Sequence, residues 1–83
     1  MKIQIRYFAS LREALGASES VDLPPGTTVA ALREQLLARG GRHAEVLGRE
    51  RAVRCAVNQT MSDESAEVPD GAEVAFFPPV TGG

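Results

Sequence analysis

Cys55 is the only cysteine in this sequence and His43 the only histidine. One thiol cannot close an internal disulfide, which fits a reducing compartment. One imidazole and one thiol supply no metal-ligand spacing and no nucleophile–base set, and no glycine-rich loop is placed to cradle a phosphate. Cys55 alternates with Val53 and Val57, the register of a buried, inert thiol rather than of a persulfide carrier. His43 stands beside Arg42 in a polar connection and reads as a solvated surface side chain. Side-chain equipment for catalysis is nearly absent.

Long apolar runs are missing too. Met1-Lys2-Ile3-Gln4-Ile5-Arg6 alternates apolar and polar residues, so it reads as neither a signal peptide nor a membrane span, and the cytoplasm is the expected location. A formal net charge of −2 over 83 residues is too mild and too acidic for a nucleic-acid binder. There is no internal repeat, low-complexity segment or linker. A chain of this length forms one small domain, with room for one sheet and one or two helices. Its 43% hydrophobic content is that of a globular domain.

Two periodicities organise what is present. Residues 2 to 8 alternate strictly, with Ile3, Ile5 and Tyr7 on one face and Lys2, Gln4, Arg6 and Phe8 on the other, as in a half-buried strand. Ala9 to Leu15 reads as a short helix with Ser10 as N-cap and Gly16 as its stop. Ser20 to Leu23 suits a second strand with Val21 and Leu23 inward, paired to the first as a hairpin. After the Pro24-Pro25-Gly26 turn, Thr27 or Thr28 caps the main helix. Val29, Leu32, Leu36 and Leu37 form its apolar stripe, Arg33, Glu34 and Gln35 face water, and Gly40-Gly41 ends it. His43 to Leu47 suits a further helical turn. Ala52 to Asn58 is a third strand, near-central because Ala52 and Ala56 are small. Asn58-Gln59 begins a turn, Ser62 to Glu67 is polar, and Pro69-Asp70-Gly71 turns into a last strand. There Val74 and Phe76 share one face, and Glu73, Ala75 and Phe77 the other. Hairpin, helix and hairpin in that order, with one apolar sheet face for one amphipathic helix, make an α+β fold of the ubiquitin-like β-grasp type. The first and last strands are expected side by side in the middle of a mixed sheet.

The end of the chain is its most distinctive stretch. Phe76-Phe77 runs into Pro78-Pro79, which cannot continue a sheet ladder and favours an extended path. The domain is therefore placed at 1–79 and a flexible tail at 80–83. Extended, Val80-Thr81-Gly82-Gly83 reaches roughly 13–14 Å, enough to enter a partner's active site. Glycines without Cβ pass a narrow channel and leave a terminal carboxylate open to attack.

Phe8 and Phe77 each lie on the otherwise polar face of their strand. If those strands are neighbours, the rings meet on the open side of the sheet at the root of the tail, a candidate docking patch that Met61 extends. Arginines gather in the middle (Arg39, Arg42, Arg49, Arg51, Arg54) and acids later (Asp63, Glu64, Glu67, Asp70, Glu73). Both groups read as solvated faces.

Val57-Asn58-Gln59-Thr60, the run from Asp70 to Gly83, and Tyr7-Phe8-Ala9-Ser10-Leu11-Arg12-Glu13 closely resemble the small, sulfur-carrier subunit of molybdopterin synthase. The segment from Gly40 to Arg51 matches no pattern of that family. The resemblance implies a non-catalytic subunit whose only reacting group is Gly83. An E1-like adenylyltransferase would use ATP to adenylate the Gly83 carboxylate, and a persulfide donor would convert it to a thiocarboxylate. The loaded tail would then give its sulfur to a cyclic pyranopterin monophosphate in the large subunit, within an assembly of two small and two large subunits. Thr81 and Gly82 would thread the partner sites, and Phe8, Arg12, Met61 and Phe77 would form the docking surface. No cofactor or metal bound by this chain is implied. Carriage of sulfur for thiamine thiazole synthesis, ubiquitin-like conjugation to proteins, and a β-grasp binding module with an inert tail are the competing readings.

Overall fold

The computed structural model describes residues 1–79. In chain order the elements are β1 (Lys2–Tyr7), α1 (Ala9–Leu15), β2 (Ser18–Asp22), α2 (Val29–Leu37), α3 (Gly41–Leu47), β3 (Arg54–Val57), β4 (Thr60–Ser62) and β5 (Glu73–Phe77). The five strands form one sheet in the order β2-β1-β5-β3-β4. β1 and β5 run parallel at its centre with Tyr7 opposite Phe76, and every other pairing is antiparallel. The expected mixed sheet, with first and last strands adjacent, is what the chain forms.

Period-2 alternation fixes which face is filled. Ile3, Ile5 and Tyr7 of β1 and Val74 and Phe76 of β5 are at most 1% exposed, and they pack with Val29, Leu32 and Leu36 of α2 and Leu47 of α3. Full burial of an aliphatic or aromatic side chain is worth about 1.5–3 kcal/mol, so this layer supplies most of the folding drive. The Tyr7 and Phe76 rings stack with centroids 6.4 Å apart.

Helix α2 is held at its N-terminus by an unusually complete set of partners. Thr28, not Thr27, caps it, accepting a bond from the Ala31 N–H, while Thr27 bonds back to the Pro24 carbonyl. The Val29 and Ala30 N–H groups donate to the carbonyls of Ala66 and Glu64. Three N–H groups that a helix start leaves unpaired are thereby satisfied, and the polar segment after β4 is tied to the helix.

Several expectations are corrected. Ser10 is not the cap of α1: the chain turns abruptly at Phe8 and Ala9, whose φ is +54°, and the Leu11 and Arg12 N–H groups bond the Phe8 carbonyl. β2 begins two residues earlier than its apolar residues suggest, because backbone pairing to β1 starts at Ser18. Leu23 is buried just beyond it. β3 is shorter than 52–58, and β4 pairs with it through the Asn58-Gln59 turn, both of whose residues have positive φ.

Arg33 does not face water. It is 4% exposed, and its guanidinium donates to the carbonyls of Leu47, Gly48 and Arg51 and to Glu64. The helical stripe was read too narrowly there, because α3 and the loop after it cover the flank that carries Arg33. His43 is likewise half-buried, with Nε2 3.1 Å from Glu19. The arginines read as solvated are all exposed, and at the surface Arg39 pairs with Glu19 and Arg49 with Glu34 and Glu64.

Candidate functional site

The open face of the sheet is the side that no helix covers. Parity assigns its residues: Gln4 and Arg6 from β1, Glu73, Ala75 and Phe77 from β5, Arg54 and Ala56 from β3, and Met61 from β4. Phe8 follows β1 in extended conformation, and its N–H donates to the Phe76 carbonyl at 3.2 Å. Continuing that register sets Phe8 alongside Phe77. Phe8 is 40% exposed and Met61 60%, and Phe77 is half-buried. Large apolar side chains left this open around one point of a small domain mark a candidate interaction surface.

The floor between them is low. Ala75 is directly opposite Ala56, which is opposite Met61, so two methyl groups separate the taller side chains of Phe77 and Met61. Both alanines are 8% exposed. Arg6 lies over the Phe8 ring at 5.4 Å from its centroid, within cation–π range, and 3.9 Å from Glu73. Arg12, one helical turn beyond Phe8, is exposed.

The chain leaves this face through β5. Because β5 is interior to the sheet, Pro78 and Pro79 emerge beside Phe8 and Phe77 rather than at an edge. Phe8, Met61 and Phe77 are thus gathered on one surface, whereas Arg12 is an exposed residue of α1 that no contact joins to it. Thr81, Gly82 and Gly83 lie outside the described residues. Arg6, Arg54 and the two alanines belong to the same surface, although nothing in the sequence had joined them to the patch. The signal was present in the alternation that put Arg6 on the face of Phe8, but a charged residue on a polar face draws no notice.

The other titratable groups lie elsewhere. The Cys55 thiol is 4% exposed, donates to the Ser62 carbonyl at 3.2 Å, and is pushed up by burial and by the negative charge of Glu64 and Asp63. It is the inert thiol that its register implied. On the helix side, burial raises the Glu19 carboxyl, yet bonds from His43, Arg39 and Tyr7 outweigh this and hold it below its ordinary value. No group of three or more His, Cys, Asp or Glu residues is placed to hold a metal ion among the described residues. No helix among them is long and apolar enough to cross a membrane.

A mixed sheet with parallel central strands, helices on one face and a C-terminal strand in the middle defines a ubiquitin-like β-grasp protein. The Haloferax volcanii protein SAMP1 superposes with a TM-score of 0.79 at 25% identity, covering 100% of both chains. A chain of the Helicobacter pylori complex of subunits 1 and 2 of molybdopterin-converting factor shares the fold, with a TM-score of 0.71, 24% identity and 100% of both chains covered. The molybdopterin synthase sulfur carrier subunit of Escherichia coli is 41% identical over 98% of this chain and 99% of its own length. The sequence model of the ThiS family matches residues 5–83, and the chain belongs to that family.

Proposed function

We propose that this chain is the sulfur carrier of molybdenum cofactor biosynthesis, the small subunit of a molybdopterin synthase. The observation that carries the reading is the end-to-end correspondence with the E. coli sulfur carrier subunit, 41% identical over 98% of the chain. The open face agrees with it: an apolar docking surface lies at the point where β5 hands the chain on to Pro78-Pro79.

The chemistry asks little of the folded body. The Gly83 carboxylate is adenylated by an E1-like enzyme, its oxygen attacking the α-phosphorus of ATP with release of pyrophosphate. The outer sulfur of a persulfide donor then displaces AMP to give an acyl disulfide. A second thiol attacks the donor's sulfur in that bond, leaving a disulfide on the donor side and the thiocarboxylate on Gly83. That group is largely ionised and soft, so it attacks the cyclic pyranopterin monophosphate in the large subunit without a base on this chain. Water then cleaves the acyl–sulfur bond, which leaves the sulfur on the pterin and returns the carboxylate, and the two sulfurs of the dithiolene consume two loadings. Phe8, Met61 and Phe77 grip the partner, and Thr81 and Gly82 thread it. The large subunit is the partner, in keeping with the H. pylori complex, and an assembly of two small with two large subunits follows the family pattern.

Intact mass of the protein from cells supplied with sulfur tests the carrier chemistry. An oxygen-for-sulfur replacement confined to the C-terminal peptide supports it. An unmodified tail that forms isopeptide bonds to other proteins would replace it with conjugation, the reading that likeness to SAMP1, an archaeal small modifier protein, keeps in view.

A further inference from the structure

The two borders of the sheet are closed to different degrees. β4 ends one side after three residues, too short to template another strand. β2 ends the other with five, Ser18–Asp22, and carries neither lysine nor proline. Met1 and Leu23 exchange bonds at one end of the β1–β2 ladder, and the Tyr7 N–H donates to the Ala17 carbonyl at the other. By the alternation of an antiparallel pair, Val21 and Glu19 also bond β1, and Ser18, Ser20 and Asp22 turn their N–H and C=O groups outward. All three residues are exposed, and among the described residues no turn or loop backbone meets those outward groups.

One residue of β2 interrupts the apolar stripe that Val21 and Leu23 begin. Glu19 is opposite Ile5, so it stands on the filled face of the sheet. Its carboxylate accepts from the Tyr7 hydroxyl at 2.8 Å, lies 3.1 Å from His43 Nε2 and pairs with Arg39, and its side chain is 22% exposed. A second copy adding antiparallel to β2 about a two-fold axis at Ser20 would set Glu19 beside Val21 of that copy, once on each side of the axis. The carboxylate and its two basic neighbours would lose their remaining water against an apolar side chain, which charged groups resist. We propose that Glu19, pinned by Tyr7, Arg39 and His43, guards the β2 edge, and that the partner it excludes is a second copy of this chain. A charge pointing inward from a border strand is one of the ways sheets avoid growing edge to edge. The guard is independent of the carrier reading, because it concerns the border at β2 and neither the open face nor the tail.

The test is sedimentation of the full chain from about 0.01 to about 1 mM, with amide hydrogen exchange on the same samples. Wild type is expected to stay monomeric, with the Ser18, Ser20 and Asp22 amides exchanging fast. Glu19→Val offers a β-branched neighbour to Val21 of a second copy. It is expected to self-associate at least about tenfold more tightly than wild type and to slow those three amides about tenfold or more. Adding Ser20→Pro removes an outward N–H without breaking the ladder to β1, and is expected to restore the monomer. Glu19→Gln keeps the shape and discards the charge, and is expected to associate through the same amides, more weakly than Glu19→Val. It decides the matter if thermal melts show that Glu19→Val does not fold. Folded variants that remain monomeric, association that protects other amides or survives Ser20→Pro, or pairing of wild type through β2 would each overturn the guard.

Discussion

Arg33 Nη1 lies 2.6 Å from Glu64 Oε2, joining the middle of α2 to the turn after β4. The same guanidinium serves three carbonyls at 2.8–3.1 Å, at the end of α3 and in the loop behind it. One side chain thus ties three segments far apart in sequence, and it does so with nearly all of its donors.

Arg33→Ala should lower stability by about 3 kcal/mol, since three carbonyls and a partly buried carboxylate lose their donor together. Urea denaturation would measure it. Arg33→Lys should recover only part of the loss, because an ammonium cannot span the fork. A variant as stable as wild type would mean that water replaces the guanidinium without penalty.

Acid should weaken the fold through Glu64 and Glu19. Burial raises the Glu64 carboxyl, but Arg49 and Arg33 prevail and hold it below its ordinary value, and Glu19 is held down in the same sense. Groups with a depressed folded pKa contribute stability that is present above their unfolded value of about 4.5 and lost as pH falls through the lower folded value. Denaturant midpoints should therefore be flat above pH 5 or so and drop below it. The drop should be shallower in Glu64→Gln, from a lower starting stability.

The alkaline side has its own marker. Tyr7 donates to Glu19 at 2.8 Å, and burial followed by that acidic acceptor pushes its hydroxyl far above the ordinary value of 10.0. A raised folded pKa gives stability that is complete below the unfolded value and is lost as pH rises through and beyond it. Stability should decline above about pH 10, and Tyr7→Phe should lose that part of the decline. Ultraviolet titration of folded Tyr7 should show no phenolate before unfolding.

Phe77→Ala and Phe8→Ala should each weaken large-subunit binding by about 1–3 kcal/mol, the range of aromatic anchors at an interface centre. Phe8, at 40% exposure, should do so with almost no change in thermal stability. Isothermal titration paired with a melt separates docking from folding. Ala75→Leu should also weaken binding by raising the floor between Phe77 and Met61.

Cys55→Ala should leave sulfur loading intact, because the proposed carrier chemistry takes place at Gly83 and not at this thiol. The native thiol should alkylate far more slowly than a free cysteine at the same pH, given its burial and raised pKa. A loss of thiocarboxylate in this variant would return Cys55 to the sulfur path.

What the sequence disclosed follows the physics of each element. Strands β1 and β5 were readable because their alternation is strict and each has one filled face. Their adjacency followed from the fold type, and the gathering of Phe8, Met61 and Phe77 followed from parity. Arg33 and His43 were misjudged because a polar side chain shows no sign, in one dimension, of the carbonyls or carboxylates that will meet it, whereas the arginines of 39–51 are exposed as read. β4 was missed because three residues contain no measurable period. Ser10 was given the cap because its chemistry suits one, whereas the sharp turn at Ala9 starts the helix earlier.

Consider finally how the sheet would bear a load. A partner that pulls on the emerging chain draws β5 along its own axis, between β1 on one side and β3 on the other. Both ladders then resist in shear, with their hydrogen bonds strained together instead of peeling one by one as they would at a border strand. The placement of β5 between two neighbours lets this small body meet such a pull through both ladders at once.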